Sequence, residues 1–214
     1  MNTDLLISKI IDEGAKKPLA RPHIQAAYWL SGALIYIFGL CAYNGFRPDL
    51  YEKLSTPLYG LELFFLGLMS VSTALAALCL ARPDVHQKSW IKVIPFVLFM
   101  PWAMIAYFNS SGHIDFESLY SSLCASKFDC PWHIAIFSIP PGACLFYIIR
   151  KAAPIQCCWA GTMATWSVAS LAYIAMRIAE QNDNLAHLII WHALPVMLMC
   201  MVGMVLGKIS LKWR

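Results

Sequence analysis

The run "PLYGLELFFLGLMSVSTALAALCL", residues 57–80, contains a single charged side chain, Glu62. At 1.5 Å per residue, a run of this length as an α-helix crosses the ~30 Å hydrocarbon core of a bilayer. Lipid offers no water to backbone N–H and C=O groups, so the segment must close its hydrogen bonds within itself. Helix is therefore the expected state. Five further apolar blocks follow the same logic, at about 24–43, 90–109, 132–149, 155–176 and 185–206.

The whole composition agrees with that reading. Of the 214 residues 59% are hydrophobic and 13% charged, about half the charge of a typical soluble domain. The short alternating segments of a transmembrane barrel do not occur. The expectation is an all-α integral membrane protein with six transmembrane helices over 23–214, preceded by an N-terminal segment, 1–22.

Orientation follows from where the cations fall. Lys9, Lys16, Lys17, Arg21, Arg82, Lys88, Lys92, Arg150, Lys151, Lys208, Lys212 and Arg214 lie on one side of the six spans. Only Arg47, Lys53, Lys127 and Arg177 lie on the other. The positive-inside rule places both termini in the cytoplasm. The net charge of +4 thus reports topology rather than nucleic-acid binding. About twenty mostly polar residues precede the first block, which is too long for a signal-peptide core, so that span is expected to remain.

Little protein is left on the cytoplasmic side for a soluble catalytic domain. The sequence has no Ser-His-Asp set, no HExxH, no phosphate-binding glycine loop and no pair of carboxylates within one span. No enzyme activity and no cofactor are expected. The spans are also poor in charge, with Glu62 and Lys92 near span ends and His192 the deepest ionisable group. Its expected role is a bond to a neighbouring helix, since haem ligation by two histidines needs a second deep one. A small transporter or channel for a metal or apolar solute is the competing reading, and the scarcity of deep charge weighs against it.

"MNTDLLISKIIDEGAKKPLARPH", residues 1–23, reads as a short helix over about 4–13 followed by an extended leash. Thr3 suits its N-cap, Asp4 the positive end of its dipole, and Gly14 its C-terminal stop. Leu6, Ile7, Ile10 and Ile11 share one face. An isolated helix of this length is marginal in water, so the face needs a partner. The membrane surface, the rest of the chain and another protein all remain open.

The largest external segment, about 110–131, runs into "SSLCASKFDCPWHIAIFSIPPG", residues 121–142. Cys124 and Cys130 share this loop in an oxidising compartment, where a local disulfide, two separate thiols or a metal-responsive thiol site are all compatible with the spacing. His113, His133 and His187 lie on the same side, but no tight CxxC or HxxxH pair marks a zinc site. Pro140 and Pro141 predict a kink about two turns into the fourth span. The other six cysteines are read as small apolar residues or as reduced cytoplasmic thiols, Cys41 being ambiguous.

A resemblance runs through nearly the whole chain. It is carried by "TDLLI" and "KPLARP" before the first span, "RPDL" at 47–50, "CPWHIAIFSIPP" entering the fourth span and "RKAAP" at 150–154. Ala160-Gly161, Ala172-Tyr173, Trp191 and the terminal "LKW" continue it. In order and spacing these resemble the NrsF-like family, negative regulators of sigma F. The resemblance implies a multi-pass anti-sigma factor of the bacterial inner membrane. Its implied partners are the lipid bilayer and an extracytoplasmic-function sigma factor, with no direct nucleic-acid contact. The sigma factor would be held at the cytoplasmic face through Asp4, Leu6, Ile7, Ile10 and Ile11, and released on an external redox or metal signal. Family members associate sensing with two outward cysteines. One matches Cys130; the other has no counterpart among Ile174, Ala175, Met176 and Arg177, so either the sensing is altered or lost or another cysteine serves, Cys124 being the local candidate.

Overall fold

The computed structural model describes residues 3–13, 20–82, 90–109, 120, 129–152 and 154–212, and these are helical with no strand among them. Helix α1 is Thr3–Glu13, α2 Pro22–Asn44, α3 the short Leu50–Leu54, and α4 Pro57–Leu80. Then come α5, Ile94–Asn109, α6, Asp129–Lys151, and α7, Cys157–Ala179. The last, α8, is Leu185–Ser210 and contains a π-helical turn over Leu188–Ala193. Proline opens α2 and α4, where a missing N–H costs no hydrogen bond. Gly45, with φ of 95°, ends α2 by donating its N–H to the Cys41 carbonyl.

Five of the helices are long and apolar enough to cross a membrane: α2, α4, α6, α8 and the stretch Trp90–Asn109 that contains α5. Helix α7 has the length, 23 residues, but a different surface. Thr162, Thr165, Ser167, Ser170 and Gly161 all lie in it, and nearly every residue from Ala160 to Arg177 is buried against protein. It is the axis of the bundle, packed on by α2, α4, α6 and α8.

Two features fasten the others to this axis. Ser70 of α4 donates to the Ser167 carbonyl at 3.0 Å and Ser167 returns a bond to the Ser70 carbonyl at 2.8 Å. Against α8, Gly161 faces Gly203 and Gly207 so closely that a Cβ on Gly161 would overlap backbone atoms of both. Small residues at such a crossing let helix backbones approach where lipid supplies no hydrophobic drive. Lipid-sized side chains such as Leu198, Met201, Val205 and Ile209 are correspondingly exposed on the outer surface of α8.

Helix α6 runs unbroken through Pro140 and Pro141, and Trp29 Nε1 of α2 donates to the Pro141 carbonyl at 2.9 Å. Helix α1 forms over the expected residues, and Leu5, Leu6, Ile7 and Ile11 on it are all exposed.

Candidate functional site

Helices α2, α5 and α7 end, and α4, α6 and α8 begin, at the same end of the bundle. Two polar clusters meet there. The first is a network of ion pairs centred on α7. Arg177, in its last turn, donates from Nε and Nη2 to the two Glu62 oxygens of α4, at 2.9 and 3.0 Å, and from Nη1 to Asp183 Oδ1 at 2.7 Å. Arg47, just beyond α2, grips Asp49 through two bonds of 2.8 Å and reaches Asp183 at 3.1 Å. Lys53 closes on Asp183 at 2.6 Å. Tyr59 donates its hydroxyl to the Arg177 carbonyl at 2.7 Å, and both guanidinium groups lie over its ring.

Three cations thus face three carboxylates, so the network is neutral as a whole. The Arg47 bonds hold Asp49 down to about 2. Burial acts to raise Asp183, but the hydrogen bonds from Arg47, Lys53 and Arg177 outweigh it and keep this carboxyl well below its ordinary range. Sequence reading had counted Arg177 with the loop charges and found little charge in the spans. The structure corrects this: Arg177 lies inside α7 with its side chain 1% exposed, and its charge is neutralised there by Glu62.

The second cluster lies beside the first. Cys130, in the first turn of α6, donates from Sγ to Glu180 Oε2 at 3.2 Å and lies 3.8 Å from His187 Nε2. Glu180 caps the end of α7. Its Oε1 is 2.9 Å from His187 Nε2 and its Oε2 3.0 Å from His192 Nε2. Burial opposes ionisation of Glu180, yet the two imidazoles prevail and hold it far below the usual carboxylate range. Cys130, His187 and His192 are buried, and the two imidazole rings stack edge to face with centroids 5.2 Å apart.

The backbone explains the histidine pair. Residues five apart on an α-helix point about 140° away from each other. A π turn closes on the fifth residue instead, and Leu194 N–H here bonds the Ile189 carbonyl. Pro195 has no N–H for the Trp191 carbonyl and its ring crowds that group, so the wider turn relieves a conflict that a regular helix would keep. Upstream, the Asn184 side chain caps the start of α8 by accepting the Ala186 N–H at 2.9 Å.

The expected site residues fall in separate places. Cys130 is at the second cluster, Cys124 lies outside the described residues, and Pro140 and Pro141 are mid-helix in α6. Asp4, Leu6, Ile7, Ile10 and Ile11 are all in α1. His133 packs on Phe137 with ring centroids 5.4 Å apart. Glu180 and Asp183 were not singled out from the sequence, although "RIAEQNDN" followed by "HLIIWH" puts three charged residues and two histidines around one interhelical corner.

The family profile described as "Negative regulator of sigma F" matches residues 12–213. The chain belongs to the NrsF family. An "Anti-sigma-F factor NrsF" from Caulobacter vibrioides (strain NA1000 / CB15N) is 24% identical over 217 aligned residues, covering 100% of both chains. A "Probable anti-sigma-F factor NrsF" from Azospira oryzae is 23% identical over 177 residues, 78% of each chain. No solved structure matches. The NrsF match covers α2 to α8 and both polar clusters, so the resemblance drawn from short motifs extends over the whole bundle.

Proposed function

We propose that this protein is an anti-sigma factor of the bacterial inner membrane. It sequesters an extracytoplasmic-function sigma factor at the cytoplasmic face and releases it on an external redox or metal stress signal. The observation that carries this reading is the end-to-end match with a curated relative named as an anti-sigma-F factor. It is a regulatory role, with binding rather than catalysis as its chemistry.

In this reading α7 is the sixth span, screened from lipid by the other five, and six crossings return the C-terminus to the side of the N-terminus. Thr, Ser and Gly are tolerated in α7 because it meets protein instead of hydrocarbon. Helix α1 supplies the docking element: Leu6, Ile7, Ile10 and Ile11 lie on one stripe, and the short leash after α1 tethers it to α2. An amphipathic helix laid into a partner's groove is a common mode of capture. Cys130 and Cys124 are the sensing thiols, at the opposite end, and α6 with Pro140 and Pro141 runs from Cys130 to Arg150 and the inner loop.

Co-expression of the tagged full chain with a sigma factor encoded beside its gene tests the reading. The sigma factor should co-purify in detergent, and removal of residues 1–20 should release it. Undiminished capture by the truncated chain rejects the α1 assignment, and absence of capture by the full chain rejects the function.

A further inference from the structure

The sequence shows no recognisable metal motif, yet the fold brings four metal-binding side chains to one point. Cys130 Sγ, a Glu180 carboxylate oxygen, His187 Nε2 and His192 Nε2 all lie within 4.8 Å of one another. They come from the start of α6, the end of α7 and the first turns of α8, so three segments distant in sequence converge. We infer that these four side chains form a binding site for a divalent cation of the zinc class. The site deepens the anti-sigma reading by naming one input to the external end, but the binding itself stands on geometry alone.

The donor set selects the ion. A thiolate and two imidazoles suit zinc, cobalt and cadmium, whereas magnesium and calcium require mostly oxygen ligands. Around a tetrahedral zinc with bonds of about 2.0–2.3 Å, adjacent donors lie about 3.3–3.8 Å apart. Here Glu180 lies 2.9 Å from His187, 3.0 Å from His192 and 3.2 Å from Cys130, and Cys130 lies 3.8 Å from His187. Every donor pair lies within 4.8 Å, so entry of an ion needs Glu180 and the imidazole nitrogens to part slightly and the wider pairs to draw in by at most about 1 Å.

Charge also balances. The thiolate and carboxylate carry two negative charges against a dication, and the thiol proton leaves to solvent as Sγ becomes a ligand. Arg177, in the last turn of α7 and facing the same corner, is already neutralised by Glu62 and Asp183, so it does not oppose a second positive charge. The π turn has a purpose in this arrangement, since it alone aims His187 and His192 at the same point; such turns recur at functional sites. An occupied site would bolt the first turn of α6 to the corner between α7 and α8, where an apo site holds them by hydrogen bonds.

The test uses the purified full-length protein in detergent, stripped of metal and kept reduced, titrated with cobalt(II) as an optical probe. One equivalent should bind, giving tetrahedral visible bands and a thiolate-to-cobalt charge-transfer band, and zinc should displace it while magnesium and calcium do not. Cys130→Ser should abolish the charge-transfer band. His187→Asn and His192→Ala should each weaken binding at least about tenfold, with elution volume and metal-free melting temperature checked for folding, and Cys144→Ser should change nothing. No saturable binding in the folded parent, or a charge-transfer band kept in Cys130→Ser and lost in Cys124→Ser, would overturn the site. Sigma capture by the metal-free preparations separates the two claims: capture by a protein that binds no cobalt rejects the site alone, and failure of the metal-free protein to capture, with cobalt binding intact, rejects the anti-sigma reading alone.

Discussion

Arg177 of α7 and Glu62 of α4, 115 residues apart, form a two-point ion pair in which neither side chain is more than 1% exposed. A buried pair is costly to assemble and far more costly to break, because removing one partner strands the other charge away from water. Glu62→Leu leaves Arg177 with Asp183 alone. It should lower stability by about 3–5 kcal/mol. The double variant Glu62→Leu, Arg177→Met leaves Asp183 still held by Arg47 and Lys53, and should recover much of that loss. Thermal unfolding of the parent and the two variants in one detergent checks this; a double variant no more stable than Glu62→Leu would refute the coupling.

Acid should weaken this corner. Asp49 carries a native pKa of about 2 against an ordinary value of 3.8, because Arg47 donates two hydrogen bonds to its ionised form. A depressed carboxylate stabilises the fold above its unfolded pKa, and that contribution disappears as pH falls through the folded one. The parent should therefore lose melting temperature between about pH 4 and pH 2 more steeply than Asp49→Asn. Equal slopes would show that the Arg47 bonds add nothing to folding.

The contact between α7 and α8 sets another expectation. A Cβ on Gly207 would meet the Cys157 carbonyl and Gly161, whereas one on Gly67 of α4 meets nothing within 4 Å. Gly207→Val should push the helices apart and cost about 1–3 kcal/mol as overpacking does. Gly67→Ala should be neutral or raise stability by up to about 1 kcal/mol through helix propensity. Melting temperatures in detergent distinguish them, and equal tolerance at both positions would contradict the close crossing.

These elements differ in how far they were legible beforehand. The runs that become α2, α4, α5, α6 and α8 are visible because lipid-facing helices must be apolar along their length. Helix α7 was visible by length, but its place at the axis rests on Ser70 with Ser167 and on Gly161 with Gly203, pairings that only packing creates. Arg177 was misread because hydropathy marks the end of an apolar run, while the helix continues as long as a partner such as Glu62 neutralises the charge. Pro195 sits in an otherwise apolar run, and nothing in that run marks a turn that widens and aligns His187 with His192. Cys130 was found by resemblance; Glu180, its neighbour at 3.2 Å, lies 50 positions away and carried no motif.

Helix α1 yields the most direct test of partner binding. Ile7 is 49% and Ile11 72% exposed, so the bundle gains little from either side chain. Burial of an aliphatic side chain in a partner's groove contributes about 1.5–3 kcal/mol. Replacing one with aspartate should therefore weaken capture of the sigma factor by about tenfold or more. Ile7→Asp and Ile11→Asp should each do so while melting temperature stays within about 1 °C of the parent, as for surface substitutions in general. Lys9→Ala, on the polar side of the same helix, should leave capture within about threefold. Pull-down with purified sigma factor at one salt concentration provides the measurement. If Ile7→Asp and Ile11→Asp bind as the parent does, the apolar stripe of α1 is not the docking face, and the inner loops around Arg150 and Lys151 become the place to look.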